Sequence, residues 1–134
     1  MHKTKIVTSF LKNSEDILLL RRSEKVKSMK NLWAGISGII EENEEPFSRA
    51  KIEIFEEVGK KESEITLIKE GEKLVIDSPQ YVKHQWEVYP FLFSCESREI
   101  KLNWENSDSR WINIDELKNF QTVPSLDKVL ARLL

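Results

Sequence analysis

Residues 38–59 read GIIEENEEPFSRAKIEIFEEVG, and the reading of this stretch decides the fold. Pro46 suits the first turn of a helix, where its missing N–H costs nothing. Phe47, Ala50, Ile54 and Val58 then recur at spacings of three, four and four, the stripe of an amphipathic helix, and Gly59 is a stop signal. Glu53, Glu56 and Glu57 stand at i, i+3 and i+4, so steps of about 100° bring all three onto one face while the apolar stripe lies elsewhere. Like charges at these spacings repel by a few tenths of a kcal/mol per pair, roughly, so the face costs stability unless a cation compensates. Magnesium would do so, since it takes hard oxygen ligands and keeps some waters for exchange with phosphate oxygens. Taken alone, a glutamate-rich helix face is most often a wet surface.

Outward from the helix, residues 4–11 and 16–22 read as strands joined by the KNSE connection and paired antiparallel. RRSEKVKSMKN (21–31) is a polar, basic loop, and LWAGISGII (32–40) is strand and then turn, punctuated by Gly35 and Gly38. Downstream, EITLIKEGEKLVID (64–77) offers two short strands. YVKHQWEVYPFLFSC (81–95) is a longer β-rich run whose Pro90 implies an edge position or a bulge. WINIDEL (111–117) is a short strand feeding a turn or short helix, and Leu126, Val129, Leu130 and Leu133 mark a closing helix packed on the sheet. The order of strands, helix, strands, helix indicates an α+β or layered α/β/α domain.

The 134 residues fit a single compact domain spanning 1–134. Hydrophobic residues at 40% and charged ones at 33% suit a globular chain with one core. With 21 Lys and Arg against 23 Asp and Glu the net charge is -2, so no global field favours nucleic acid or an anionic membrane as partner. A polyanionic ligand would need local help, such as a metal. The one cysteine, Cys95, makes no intramolecular disulfide, and MHKTKIVTSFLKNSED lacks the apolar stretch of a signal peptide, so a cytoplasmic location is expected. No apolar run approaches the roughly 20 residues of a membrane span.

Gly38, Glu44, Glu53, Glu56, Glu57 and Gly59 fall into one fixed register. It resembles the Nudix box: a glycine, five residues, a glutamate, seven residues, then Arg-Glu-aliphatic-any-Glu-Glu-any-Gly-aliphatic, here covering 38–60. The likeness extends over most of the chain, with strand-loop-strand before the box, a tryptophan-led strand after it and a closing helix. The resemblance implies the MutT-like Nudix fold, an α/β/α sandwich with a mixed sheet, of α+β class. It also implies a divalent cation, Mg2+ or Mn2+, as cofactor and pyrophosphatase chemistry by water attack at phosphorus. The implied substrate is a small molecule, a nucleoside diphosphate derivative such as a nucleotide sugar, ADP-ribose or a nucleoside triphosphate. Relatives of this kind are often homodimers. Two positions depart from the pattern: Ile52 holds the arginine position and Lys60 the final aliphatic one. That arginine pairs with box glutamates in the family, so its loss makes a catalytically weak nucleotide-binding or regulatory module the alternative. Arg49, one turn before Glu53, is the candidate substitute.

Carried over position by position, the resemblance implies Glu53 and Glu57 as inner metal ligands, Glu56 as a third ligand or a partner through water, and the Gly38 carbonyl as a further ligand. Glu44 would orient the loop or cap the helix. Glu53 is the favoured general base, and Glu105, about six residues before Trp111, is the distant alternative and a candidate ligand for a second metal. Arg21, Arg22 and Lys27, before the box, are expected to pair with phosphate oxygens, with solubility as their plainer role. Trp33, Tyr81, Trp86 and Trp104 offer stacking faces, with core packing the commoner use of tryptophan. His84 has no His or Cys at zinc spacing, and Cys95 has no evident activating neighbour. With His2 as the other histidine, the chain is poorly equipped for isoprenoid diphosphate isomerisation, which in this fold relies on a cysteine and a histidine-rich metal site. LLLRRSEKV, WEVYPFLFSCESREIKLNWE and TVPSL are also similar to the Nudix domain that some archaeal proteins carry fused to a relative of the translation initiation factor 2B α-subunit. That likeness implies a substrate from nucleotide or phosphorylated-ribose metabolism.

Overall fold

In the computed structural model, which describes residues 2–77 and 83–134, the alternating apolar runs become strands that bury both faces. The elements are β1 (His2–Asn13), β2 (Asp16–Arg22), β3 (Trp33–Ala34), β4 (Ile36–Ile39), α1 (Pro46–Val58), β5 (Ile65–Glu70), β6 (Leu74–Asp77), β7 (His84–Cys95), β8 (Asn106–Asn113) and α2 (Leu126–Ala131). Short 3₁₀ turns cover Glu62–Glu64 and Ile114–Asn119. The strands form one sheet in the order β3-β2-β1-β7-β5, with β4 also on β1, β6 on β7 and β8 on β2. β1 pairs antiparallel with β2 but parallel with β7, from His2↔His84 to Lys12↔Ser94, so the sheet is mixed.

Alternation in the central strands assigns side chains to two cores. Val7, Leu11, Leu18, Leu20, Phe91 and Phe93 face α1 and pack on Ala50, Ile54 and Val58. Phe10, Ile17, Leu19, Val88 and Leu92 face the other way, onto Leu126, Val129 and Leu130 of α2. The result is an α/β/α sandwich with a mixed sheet, the architecture that the resemblance implies. A helix as short as α1 is marginal alone in water, so this packing holds it. Truncating the fully buried Ile54 to alanine would cost about 2–5 kcal/mol. α1 starts at Pro46 and ends where Gly59 turns left-handed (φ 76), its N–H donating to the Phe55 carbonyl at 3.0 Å, as the sequence indicates.

One expectation is corrected. Pro90 does not put β7 at an edge, because β1 covers its whole length on one side and β5 and β6 share the other. The Pro90 carbonyl accepts from Gly71 N–H at 2.9 Å, between the end of β5 and the start of β6. The missing N–H of Pro90 faces this same gap, so no ladder bond is lost. The irregularity lies in the partner, where the β5 register shifts between Leu67 and Lys69. Among the described residues no helix is long and apolar enough to cross a membrane.

Candidate active site

The site forms where β4 turns into the loop before α1. Register places Gly38 opposite Val7, and its α-carbon lies directly against the Glu53 side chain. A Cβ at Gly38 would overlap Glu53 Cγ and Cδ, so only glycine lets the carboxylate of α1 meet this backbone.

Arg49 organises the entrance. Its Nε and Nη2 donate to the two oxygens of Glu44 at 2.9 and 2.7 Å, and Nη1 donates to Glu53 Oε2 at 3.0 Å. Glu44 Oε1 also accepts from Glu41 N–H at 2.7 Å, which closes the loop onto the helix. These bonds, Arg49 above all, hold the Glu44 carboxyl below its usual range, while Glu44 keeps the Arg49 proton more tightly bound. Ile52, at the box arginine position, is instead 40% exposed. The candidate substitute named from sequence is therefore in contact with two box carboxylates.

The glutamates do not all behave as a wet face. Glu53 and Glu57 are buried with the apolar stripe, and only Glu56 is exposed. Burial pushes the Glu53 carboxyl up, against the pull of Arg49. Burial pushes Glu57 well above the usual carboxylate range, and the negative charge of Glu105 adds to it. Glu57 Oε1 accepts from Asn106 Nδ2 at 3.1 Å, whereas Oε2 is buried with no donor among the described residues. The neighbouring carboxylate is Glu53, and two carboxylates so placed must share a proton or a cation.

Glu105 reaches the site through its turn. Asn103 Oδ1 accepts from Glu105 N–H at 3.0 Å, the Glu105 carbonyl accepts from Ser23 N–H at 2.8 Å, and Ser23 Oγ donates to the Trp104 carbonyl at 2.7 Å. These bonds fasten the turn beside the end of β2, where Arg22 emerges. Arg22 is drawn down by burial and up by Glu57 and Glu105, and its Nε and Nη2 donate to the Ser28 carbonyl.

A cleft of about 580 Å3 opens over these groups. Its lining includes Gly38, the polar residues Glu53, Glu56, Glu105, Arg22 and Lys27, and the apolar side chains of Ile76, Trp86, Val88 and Leu126. Glu57 lies behind this wall. Arg21 does not reach the cleft: it is exposed on the strand end and its Nε donates to the Asn31 carbonyl at 3.2 Å, because adjacent residues of a strand point to opposite faces. Of the aromatic candidates Trp86 alone, among the described residues, lines the cleft. Trp33 is core, edge-on to Phe120, and Trp104 is 59% exposed. Tyr81 lies outside the described residues. Asn106 was missed by sequence reasoning. Its one signal was its place next to Glu105, which says nothing about the helix it faces.

Among the described residues no three carboxylate, histidine or cysteine groups form a ready-made metal cage. The donor set still fits a hard divalent cation. Magnesium takes one or two protein carboxylates and completes its shell with water and phosphate, and the buried Glu57 oxygen beside Glu53 has no hydrogen-bond donor among the described residues.

Comparison with known proteins is consistent with this geometry. The family model described as NUDIX domain matches residues 2–133. Among solved structures, a MutT protein from Methanosarcina mazei superposes with a TM-score of 0.76 at 18% identity, covering 98% of this chain and 92% of that one. A Caenorhabditis elegans Ap4A hydrolase binary complex gives 0.75 at 16%, covering 99% and 95%. The NUDIX domain of Shewanella oneidensis NrtR complexed with ADP ribose gives 0.79 at 12%, covering 99% and 87%. At these identities the superpositions show the fold. A comparison with curated protein sequences finds no match.

Proposed function

Because the chain belongs to the Nudix family, whose members generally cleave nucleoside diphosphate derivatives with a divalent cation, we propose that it is a magnesium- or manganese-dependent pyrophosphohydrolase. Its substrate on this reading is a nucleoside diphosphate linked to a second group, of nucleotide-sugar, ADP-ribose or nucleoside triphosphate type. The observation that carries the reading is the buried Glu53–Glu57 pair, with Glu53 lining the cleft and one Glu57 oxygen lacking a donor among the described residues.

Glu53, Glu57 and the Gly38 carbonyl would hold the cation, with Glu56 joining directly or through water. When bound, it neutralises phosphate oxygens and lowers the pKa of a water that attacks phosphorus. The chain's own residues do the rest. Arg22 and Lys27 on the cleft lining would pair with phosphate oxygens, while apolar side chains such as Ile76, Trp86 and Val88 would receive the remainder of the substrate. Arg49 fixes the rotamer of Glu53, which on this reading would accept the proton of the attacking water. Glu105, on the opposite wall, is the second candidate for that proton or for a further cation. The chain is taken as a single cytoplasmic domain able to form homodimers, with no nucleic-acid or membrane partner.

The exposed Ile52 favours one other reading, a nucleotide-sensing module with little turnover. Release of phosphate or nucleoside monophosphate from a panel of nucleotide sugars, ADP-ribose, dinucleoside polyphosphates and nucleoside triphosphates, with and without magnesium, decides between them. Magnesium-dependent turnover of at least one compound is expected. Tight magnesium-dependent nucleotide binding with no turnover would overturn the hydrolase.

A further inference from the structure

A second cavity, of about 400 Å3, shares no lining residue with the cleft. It lies where the chain leaves α1, against the start of β5 and the end of β7. Lys60 is one of its lining residues. This residue is 3% exposed, and its ammonium has no hydrogen-bond or ion-pair partner among the described residues. Lys51 and Lys73, by contrast, are each paired with a glutamate at 2.8 Å. The Lys60 stem fills a place that the box pattern gives to an aliphatic side chain, which accounts for the buried methylenes. The charge at the end keeps little contact with water and has no anion against it among the described residues, so it gains from one.

The cavity supplies the rest of an anion site. Ser63, Thr66, Ser94 and Ser97 are among its lining residues, and a hydroxyl has a proton to donate. Ser97 Oγ accepts from Glu99 N–H at 3.1 Å, which leaves its own proton free. Glu64 and Glu96 also border the cavity but are exposed, where water and salt screen them, and Glu64 Oε1 is turned back onto Lys61 N–H at 2.9 Å. Their presence favours a ligand that keeps a proton to donate over a fully ionised one.

We propose that this cavity binds a small tetrahedral oxyanion of the phosphate type, with Lys60 as its charge partner and the four hydroxyls as its hydrogen-bond donors. The site stands at the C-terminal end of the helix that carries Glu53, Glu56 and Glu57, so occupancy bears on the same rigid element.

The test compares wild type with Lys60→Met, which restores an apolar side chain of similar reach, in inorganic phosphate and in sodium chloride of equal ionic strength. Without phosphate, Lys60→Met should melt at or above wild type, since an unpaired buried charge is gone. Phosphate at saturating concentration should raise the wild-type Tm by at least about 3 °C and leave Lys60→Met unmoved beyond the chloride control. Backbone amide shifts mapped on wild type alone should move at 60–66 and 94–97. An equal rise in both proteins, which is the general effect of an excluded salt, would overturn the proposal. So would phosphate-induced shifts confined to Arg22, Lys27 and Gly38 of the cleft.

Discussion

Replacing Arg49 by alanine removes three hydrogen bonds in one step, two to Glu44 and one to Glu53. The bond to Glu53 is the more shielded from water, because that carboxylate is 10% exposed and the arginine side chain 16%. A hydrogen bond to a charged group contributes about 1.5–3 kcal/mol when buried, and partial solvation of the arginine lowers this to about 1–2 kcal/mol. For a domain of this length each kcal/mol shifts the melting temperature by about 4 °C, so a fall of roughly 4–8 °C is expected. The functional loss should be larger than the structural one. A freed Glu53 samples several rotamers, and removing an orienting partner of a metal ligand typically costs about tenfold to a hundredfold in activity. Arg49→Lys keeps the charge but not the fork, so it should fall between wild type and Arg49→Ala. Moving the arginine to the box position, in Arg49→Ala/Ile52→Arg, should recover at least about tenfold of the loss. The assays are magnesium-dependent turnover on the best substrate of the panel, magnesium titration by calorimetry and thermal melting. If Arg49→Ala keeps both turnover and magnesium affinity within twofold of wild type, the reasoning fails.

Glu53→Gln and Glu57→Gln should each lower turnover by at least about a hundredfold. Glu57→Gln should still melt at or above wild type at pH 8, since its amide replaces a buried carboxylate that is costly to ionise. A wild-type rate in either variant would remove these residues from the site. Gly38→Ala, at a position without positive φ, should leave the fold intact while its methyl displaces Glu53. Activity near wild type would show that Glu53 need not touch this backbone. Metal-free stability should also depend on pH. The Glu53 and Glu57 carboxyls sit above their unfolded value near 4.5, so the contribution of their protonated forms is complete below that pH and is lost as pH rises through the folded values. Melting curves from pH 4.5 to 8 should show this decline without magnesium and a smaller one with it, because the cation takes the place of the proton. A metal-free stability that rises over this range would contradict the assignment of these two carboxyls.

Much of this molecule is written in local pattern. The periodicity of Phe47, Ala50, Ile54 and Val58 between Pro46 and Gly59 determined α1 to the residue, because helix start, stripe and stop are all short-range properties. The register of Gly38, Glu44 and the glutamates located the site for the same reason. Pro90 was misread because whether a strand is central depends on which segments arrive beside it, and a break in the partner strand spares the missing N–H. The burial of Glu53 and Glu57 was also out of reach of the helical wheel. A wheel gives the direction of a side chain, while its exposure depends on what the sheet, the turn at Glu105 and Asn106 bring against it. Arg21 and Arg22 looked equivalent as sequence, and strand alternation sent one to the cleft and the other to solvent. The amino-acid sequence by itself thus determined most of the elements and the register of the glutamates to which the chemistry is assigned. Tertiary structure alone decided which carboxylates are buried, which arginine reaches the cleft and where a lysine has no partner among the described residues, since burial is made between segments far apart in the chain.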